Sequence, residues 1–457
     1  MKKMYPVPGE HMSLSPLITS LGKTLTDNQC VTNSSSNNAL VDLFFQIAAM
    51  RGRTDDEVIN LFTPAFKEDP EASLKILFWV RDIRGGQGER NVFNILIKHV
   101  ANVRPEFVKQ NAHLIPKYGR WDDVLPLLDT TIEEDILKLI ASALTSSDSL
   151  CAKWMPREKS SKARYARKIR KSMSLTPKGY RKLLSGLTSV VENNMCANDW
   201  DSIDHGAVPS VAMKVYKKAF ERHSPEIWEG YLKGLEDGTE KINSSVLYPH
   251  QIIKPLMTSL LGCESDDPLT DNDKRIASAQ WDALPNWLMS NPYRLLPVVD
   301  TSGSMYGGYG SNSSVLPIDV SIALGTYISE RNNGPFKDHF ITFSETPTLQ
   351  RLHGESLFDK VSNLRSADWG MSTNIEAVFD RILESAKRDS ISEEDMPSAI
   401  VILSDMEFNQ CATNYSLTAM ESFREKYSTY GYVLPNIIFW NLNARGGNVP
   451  VLFDEAG

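Results

Sequence analysis

The chain changes its hydrophobic period once. From Asn37 to about Lys274, apolar residues recur at three- and four-residue spacing, as in Leu40-Val-Asp-Leu-Phe-Phe-Gln-Ile-Ala-Ala and Val92-Phe-Asn-Ile-Leu-Ile-Lys-His-Val. That period puts one apolar stripe on each of a series of helices. Between Ser73-Leu-Lys-Ile-Leu-Phe-Trp-Val and the second of these runs stands Arg81-Asp-Ile-Arg-Gly-Gly-Gln-Gly-Glu-Arg90, whose paired glycines suit a left-handed helix end. Helix–short turn–helix units in series predict antiparallel pairs stacked as an α-solenoid, without a strict sequence repeat. After Pro292 the pattern becomes short apolar runs: Arg294–Asp300, Asp338–Ser344, Ser398–Ser404 and Asn436–Trp440. These alternate with helix-like stretches over Ile318–Arg331, Asn374–Arg388 and Ser416–Tyr430. The alternation predicts a parallel sheet covered on both faces, the doubly wound α/β arrangement. Residues 1–36 are polar and read as a loose arm, 37–285 as the helical domain and 286–457 as the α/β domain.

At 457 residues and 41% apolar, the chain can bury real cores, which excludes a disordered or collagen-like class. No apolar run approaches the ~18 residues of a membrane span, and Lys2-Lys3 lead into Tyr-Pro-Val-Pro-Gly rather than a signal-peptide core. The five cysteines are scattered and form no C-x-x-C, so we expect reduced thiols in a cytoplasmic protein. Charge is divided unevenly. Residues 291–457 hold 12 Lys and Arg against 21 Asp and Glu, leaving 37 against 36 in the remainder. Inside that balanced remainder, Lys153–Lys182 carries twelve cations and one acid, Glu158. A local field of this kind is a candidate phosphate-binding surface whatever the net charge of −8 says.

Two features point to chemistry. Asp300-Thr-Ser302-Gly-Ser304 leaves the first α/β strand, so a carboxylate and two hydroxyls converge at a strand's carboxyl end. Hard oxygens suit Mg²⁺ or Mn²⁺, and open sheets bind ligands at that edge. Standing alone, Asp and Ser in such a turn would serve equally as helix caps. Gly370-Met-Ser-Thr373 and the strand ending in Asp405 supply two further loops. Here the chain resembles the von Willebrand factor A domain. The resemblance implies a metal-ion-dependent adhesion site built from Asp300, Ser302, Ser304, Thr373 and Asp405, with Ser372 a one-residue alternative to Thr373. Only 17 residues follow Trp440, too few for the last strand and helix usual in that family, which leaves a sheet edge to be covered by this chain or by another copy.

The helical half, through Arg81–Arg90, Lys117-Tyr-Gly-Arg-Trp-Asp-Asp123, Ala152-Lys-Trp-Met-Pro156 and Lys241–His250, resembles the TROVE module of Ro autoantigen proteins. That resemblance implies a ring or arc of HEAT-like repeats joined to the von Willebrand A domain, binding small structured or single-stranded RNA. Lys162, Arg164, Arg167, Lys168, Arg170 and Lys171, with Lys117 and Arg120, are the candidate RNA contacts; Arg84 and Arg90 are weaker ones. Six cations within ten residues, with no acid in the segment to pair them, repel unless phosphate relieves them. Tyr165 could stack a base or lie against the next repeat, and Trp79, Trp121 and Trp154 suit the core better. No H-E-x-x-H zinc pattern, G-K-[ST] phosphate loop or G-x-S-x-G elbow occurs, so a non-catalytic protein is expected. DNA and membrane are not expected partners. The rival readings are a scaffold whose metal captures a partner's carboxylate, and a homo-oligomeric structural component.

Overall fold

The computed structural model describes residues 23–25, 31–244, 246–260, 269–289, 293–307, 315–342, 347–367, 374–406, 419–443 and 449–450. The chain is mostly helical, with a mixed sheet toward its carboxyl end. It opens on a short antiparallel ladder, β1 (Lys23–Leu25) with β2 (Val31–Asn33), inside the segment expected to be loose. Asn33 and Val449 exchange both backbone hydrogen bonds, at 3.1 and 2.8 Å, so β2 is tied to a segment more than four hundred residues away.

The helical half starts with α1 (Ala39–Gln46), α2 (Asp55–Glu68), α3 (Pro70–Arg81) and α4 (Asn91–Val103). It continues through α5 (Glu133–Thr145), α6 (Ser149–Trp154), α7 (Ala163–Ser172) and α8 (Pro177–Leu187). Local chemistry sets the starts. Thr54 and Glu57 form a reciprocal capping box on α2, and Asp69 caps α3 with Pro70 in its first turn. The left-handed glycine after α3 is Gly88, at φ +63°, rather than the Gly85-Gly86 pair. Gly86 is required for another reason: a Cβ there would lie 1.8 Å from the Trp79 carbonyl oxygen. One core runs from Leu43 to Leu184, and a second gathers around Phe220, Trp228 and Leu232, from α9 (Ser210–His223) and α10 (Pro225–Glu236).

The sheet has five strands in the order β5 (Leu349–Arg351), β4 (His339–Thr342), β3 (Leu295–Val299), β6 (Ala399–Ser404), β7 (Asn436–Asn441). The four expected strands pair in parallel; β5 adds an antiparallel edge that its three polar-flanked residues do not announce. Leu295, Val299, Val401 and Leu403 face one core, while Leu296, Val298, Ile400 and Ile402 face another. Successive strand residues point to opposite faces, so this alternation shows both faces covered. Over the first face lie α13 (Pro317–Arg331) and α14 (Leu357–Ser366), joined by α11 (Pro249–Leu260) and α12 (Asp271–Asp282). Over the second lie α15 (Ile375–Arg388) and α16 (Ala419–Thr429). Two helices that precede residue 285 thus complete the α/β core. Among the described residues, no helix is long and apolar enough to cross a membrane, and no strand pairs with the outer edge of β7.

Candidate metal and nucleic-acid sites

β3 and β6 lie side by side in register, Val299 against Leu403, so their carboxyl ends finish together. Asp300 extends the ladder by donating its N–H to the Leu403 carbonyl at 3.1 Å. Its side chain has no solvent exposure. One carboxylate oxygen accepts from the Ser302 N–H at 2.9 Å, the other from the Ser404 hydroxyl. The Ser302 and Ser304 hydroxyls are 2.9 Å apart, within a single turn over Gly303–Tyr306. Asp405 is equally buried, and Met406 beyond it adopts φ +66° and donates its N–H to Ser404. The structure therefore gathers Asp300, Ser302, Ser304 and Asp405 at one sheet edge. Thr373 and Ser372 lie outside the described residues. Sequence reasoning misses Ser404: it sits at the end of an apolar run, and only the parallel pairing shows that its hydroxyl orients Asp300.

Burial pushes the Asp300 carboxyl above its ordinary range, against the hydrogen bonds from Ser404 and Ser302. Neither of those partners is a cation. Among the described residues, no three His, Cys, Asp or Glu gather into a metal cage. The set here is different, two carboxylates with hydroxyls. Its all-oxygen chemistry fits a hard divalent ion and does not fit a soft one.

The basic segment divides in two. Arg164 pairs with Asp129 at 2.6 Å, Lys168 with Glu133 at 2.9 Å and Arg170 with Glu158 at 2.7 Å; Lys162 reaches Asp122 at 3.9 Å. For Arg164 and Lys168 the crowding read from the sequence is relieved by acids from the turn before α5 and its first residues, 35 to 39 positions away. Tyr165 is buried and donates to Asp129, so it packs against a neighbouring helix and offers no free ring face. Arg120 pairs with Asp122 and lies 3.9 Å over the Trp154 ring. Arg90 is held by Asp122 and Asp123. Lys117 is exposed, but its carbonyl anchors Arg84 at 3.0 Å.

What remains is an outer row. Arg157, Lys159, Arg167, Lys171, Lys178, Arg181 and Lys182 are exposed and make no ion pair among the described residues. Arg167 and Lys171 stand one turn apart on α7, and Lys178, Arg181 and Lys182 share one face of α8. Of these, only Arg167 and Lys171 are among the contacts expected from the sequence; Arg157, Lys159, Lys178, Arg181 and Lys182 belong to the basic block but are not among them.

The family described as domain of unknown function DUF2828 matches residues 26–138 and 129–291, and that described as domain of unknown function DUF7788 matches 295–457. An uncharacterized protein of Acanthamoeba polyphaga mimivirus is 30% identical, over 95% of this chain and 82% of its own length. The crystal structure of the Deinococcus radiodurans RO (RSR) protein aligns over 91% of this chain and 95% of its own, with a TM-score of 0.41 and 13% identity. With more than half its length matched, this chain belongs to the DUF2828 family.

Proposed function

We propose that this chain is a non-catalytic RNA-binding protein whose α/β domain carries a divalent metal. The observation that carries the RNA reading is the outer row of seven cations, without ion pairs among the described residues, on α7, α8 and the turn before them. Unpaired surface cations repel one another, and a phosphate chain neutralises them with release of its counterions. The motif resemblance to the TROVE module favours RNA over DNA as the source of that phosphate. The paired inner row is structural. It fixes α7 against α5, so that the outer row is presented on a rigid support.

Asp300, Ser302, Ser304 and Asp405 would hold the metal, with the loop containing Thr373 as a further contributor. Mg²⁺ seldom takes all its ligands from protein, so the bound ion would offer a Lewis-acidic position to an outside oxygen. Asp300 and Asp405 place formal charge, the hydroxyl pair gives neutral donors, and Ser404 keeps Asp300 from turning away. A partner's carboxylate filling the open position is the second reading, a protein scaffold.

The test is a salt titration of binding to a short single-stranded RNA. If four or so of these cations touch phosphate, the log–log slope should be near −3, at about −0.7 per contact. Changing Arg167, Lys171 and Arg181 together to Glu should weaken binding at least tenfold at physiological salt and leave the melting temperature unchanged. A triple variant that binds like the parent removes this surface from the mechanism.

A further inference from the structure

Away from both sites, a cavity of about 650 Å³ opens between the helical half and the sheet. Its walls come from α1, the Arg84–Glu89 loop, the start of α11, the start of α13 and β7 with the residues just after it. We infer that this cavity binds one nucleotide unit, an aromatic base with a single phosphate group. It goes beyond the cationic surface described above and does not depend on it.

Three observations converge. The first is a set of aromatic rings that the fold leaves wet. Phe44 is 51% exposed, Trp287 51% and Trp440 45%, although each is large and apolar. They come from three separate elements yet line one space. Phe44 is already stacked on Trp79, centroids 4.7 Å apart, so a second planar group can extend an existing stack. Every base has a flat π-face that such rings can cover, and their exposure is useful only when a planar ligand does so.

The second is polar. Gln87 lines the cavity, and its side-chain oxygen, closed to water, has no donor among the described residues. A buried acceptor without a donor is costly, and turning that amide toward a base edge, which supplies N–H donors, would relieve it. Burial keeps the His250 imidazole neutral, at about 4, so it brings a donor and an acceptor but no charge.

The third is charge. Arg51 and Arg84 stand at the cavity against the single buried carboxylate of Glu89, which pairs with Arg51. The balance is one positive charge, carried by exposed Arg84, so the cavity favours an anionic phosphate group. A guanidinium presents a planar fork to phosphate oxygens. An acyl chain would cover the rings but bring no anion to Arg84, whose guanidinium spends one N–H on the Lys117 carbonyl and has further donors to offer. A peptide strand laid on β7 would not need Arg84.

The architecture around the space is built. Gly88 at φ +63° brings the loop so close to Tyr248 that a Cβ would lie 2.4 Å from its hydroxyl, and that hydroxyl donates to the Gly86 carbonyl. Asn443 lines the cavity and donates to the Gly307 carbonyl, so the space adjoins the metal loop without using its donors.

The experiment titrates the full chain with AMP, and separately with hexamers of adenylate and uridylate, following tryptophan fluorescence and calorimetric heat. Saturable binding of AMP at about 1 mM or below assigns a free nucleotide; binding of the hexamers alone assigns a strand end, and both support the site. Trp440→Ala and Arg84→Glu, at exposed positions that should not unfold the chain, should each weaken that binding roughly tenfold or more. The triple cationic-face variant should bind AMP like the parent, so failure of the RNA surface and failure of this cavity are told apart. No response to either probe, or Trp440→Ala and Arg84→Glu both binding as the parent does, would overturn the assignment. Tight binding of an unstructured peptide that survives Arg84→Glu would overturn it in favour of strand addition.

Discussion

Asp123 and Asp300 are both carboxylates without solvent exposure, and the fold treats them in opposite ways. Asp123 is gripped by Arg81 at 2.7 Å and Arg90 at 2.6 Å and accepts the Arg120 N–H at 2.9 Å. Gly119 exists there to let them meet: a Cβ would be 2.5 Å from the Asp123 carboxylate and 2.8 Å from Arg81 Nε. Among the described residues, Asp300 has a hydroxyl and an N–H and no cation. Both must be compensated, because an isolated buried charge is expensive. The helical half meets that need with its own arginines, and the charge holds helices together. In the α/β half no described residue meets that need with a cation, and the proposed metal would do so. A buried carboxylate is thus informative mainly through what its neighbours fail to provide.

The largest expected effect breaks the first half of this contrast. Asp123→Ala leaves Arg81, itself 2% exposed, and Arg90 beside an uncharged gap, and should cost about 3–5 kcal/mol in denaturant unfolding. Asp300→Asn, measured without divalent ions, should be neutral or stabilising, since it removes a charge that no cation among the described residues balances. Equal losses at both positions would mean that Asp300 is also a structural ion. The next effect concerns the metal itself. Mg²⁺ or Mn²⁺ at a hundredfold excess over its dissociation constant should stabilise the parent by about 2.7 kcal/mol and Asp300→Asn not at all. No calorimetric heat and no thermal shift with either ion would reduce the loops to helix caps.

A third ionisable group, half-buried, sits between these cases. His250 is kept neutral at about 4, by burial first and then by Arg51, Lys214 and Lys254 nearby. Its folded pKa lies below the ordinary 6.5, so the unfolded chain takes up a proton that the folded chain refuses. Stability is full above about pH 6.5 and falls as pH drops toward 4, by roughly 2 kcal/mol at pH 5. His250→Gln should flatten that part of the curve, as read from urea midpoints between pH 7 and 5.

Much of this is legible in the residues. The four parallel strands announce themselves as short apolar runs between helical stretches, and Asp300, Ser302 and Asp405 can be placed because each ends or follows a strand. What cannot be read is anything set by a distant partner. The acids that quiet Arg164 and Lys168 lie more than thirty residues away, β5 is three exposed or half-exposed residues, and α11 and α12 carry an ordinary helical period whichever core they join. In sequence the nearest acids to Arg90 are Glu89 and Asp82, whereas the fold gives it Asp122 and Asp123. The motifs that suggest a family likeness, Arg81–Arg90 and Lys117–Asp123, turn out to interlock: they are one ion network seen as two strings of letters.

The smallest effect separates the inner row of α7 from the outer. Arg164 is 63% exposed on its side chain, and its pair with Asp129 stands in water. Exposed pairs contribute about 0.2–1 kcal/mol, because high dielectric screens them and two side chains lose freedom in forming them. Arg164→Ala should therefore cost less than about 1 kcal/mol, with roughly half or more of that loss vanishing in about 0.5 M salt. Lys168→Met should cost more, because its ammonium also donates to the Leu128 carbonyl and meets Glu133. Neither change should weaken RNA binding as much as Arg167→Glu, whose exposed side chain forms no ion pair among the described residues. Equilibrium unfolding and filter binding on the same three variants give the two rankings. If Arg164→Ala proves the most damaging to RNA binding, the ion pairs of α7 open on contact with phosphate, and the inner row is part of the binding surface after all.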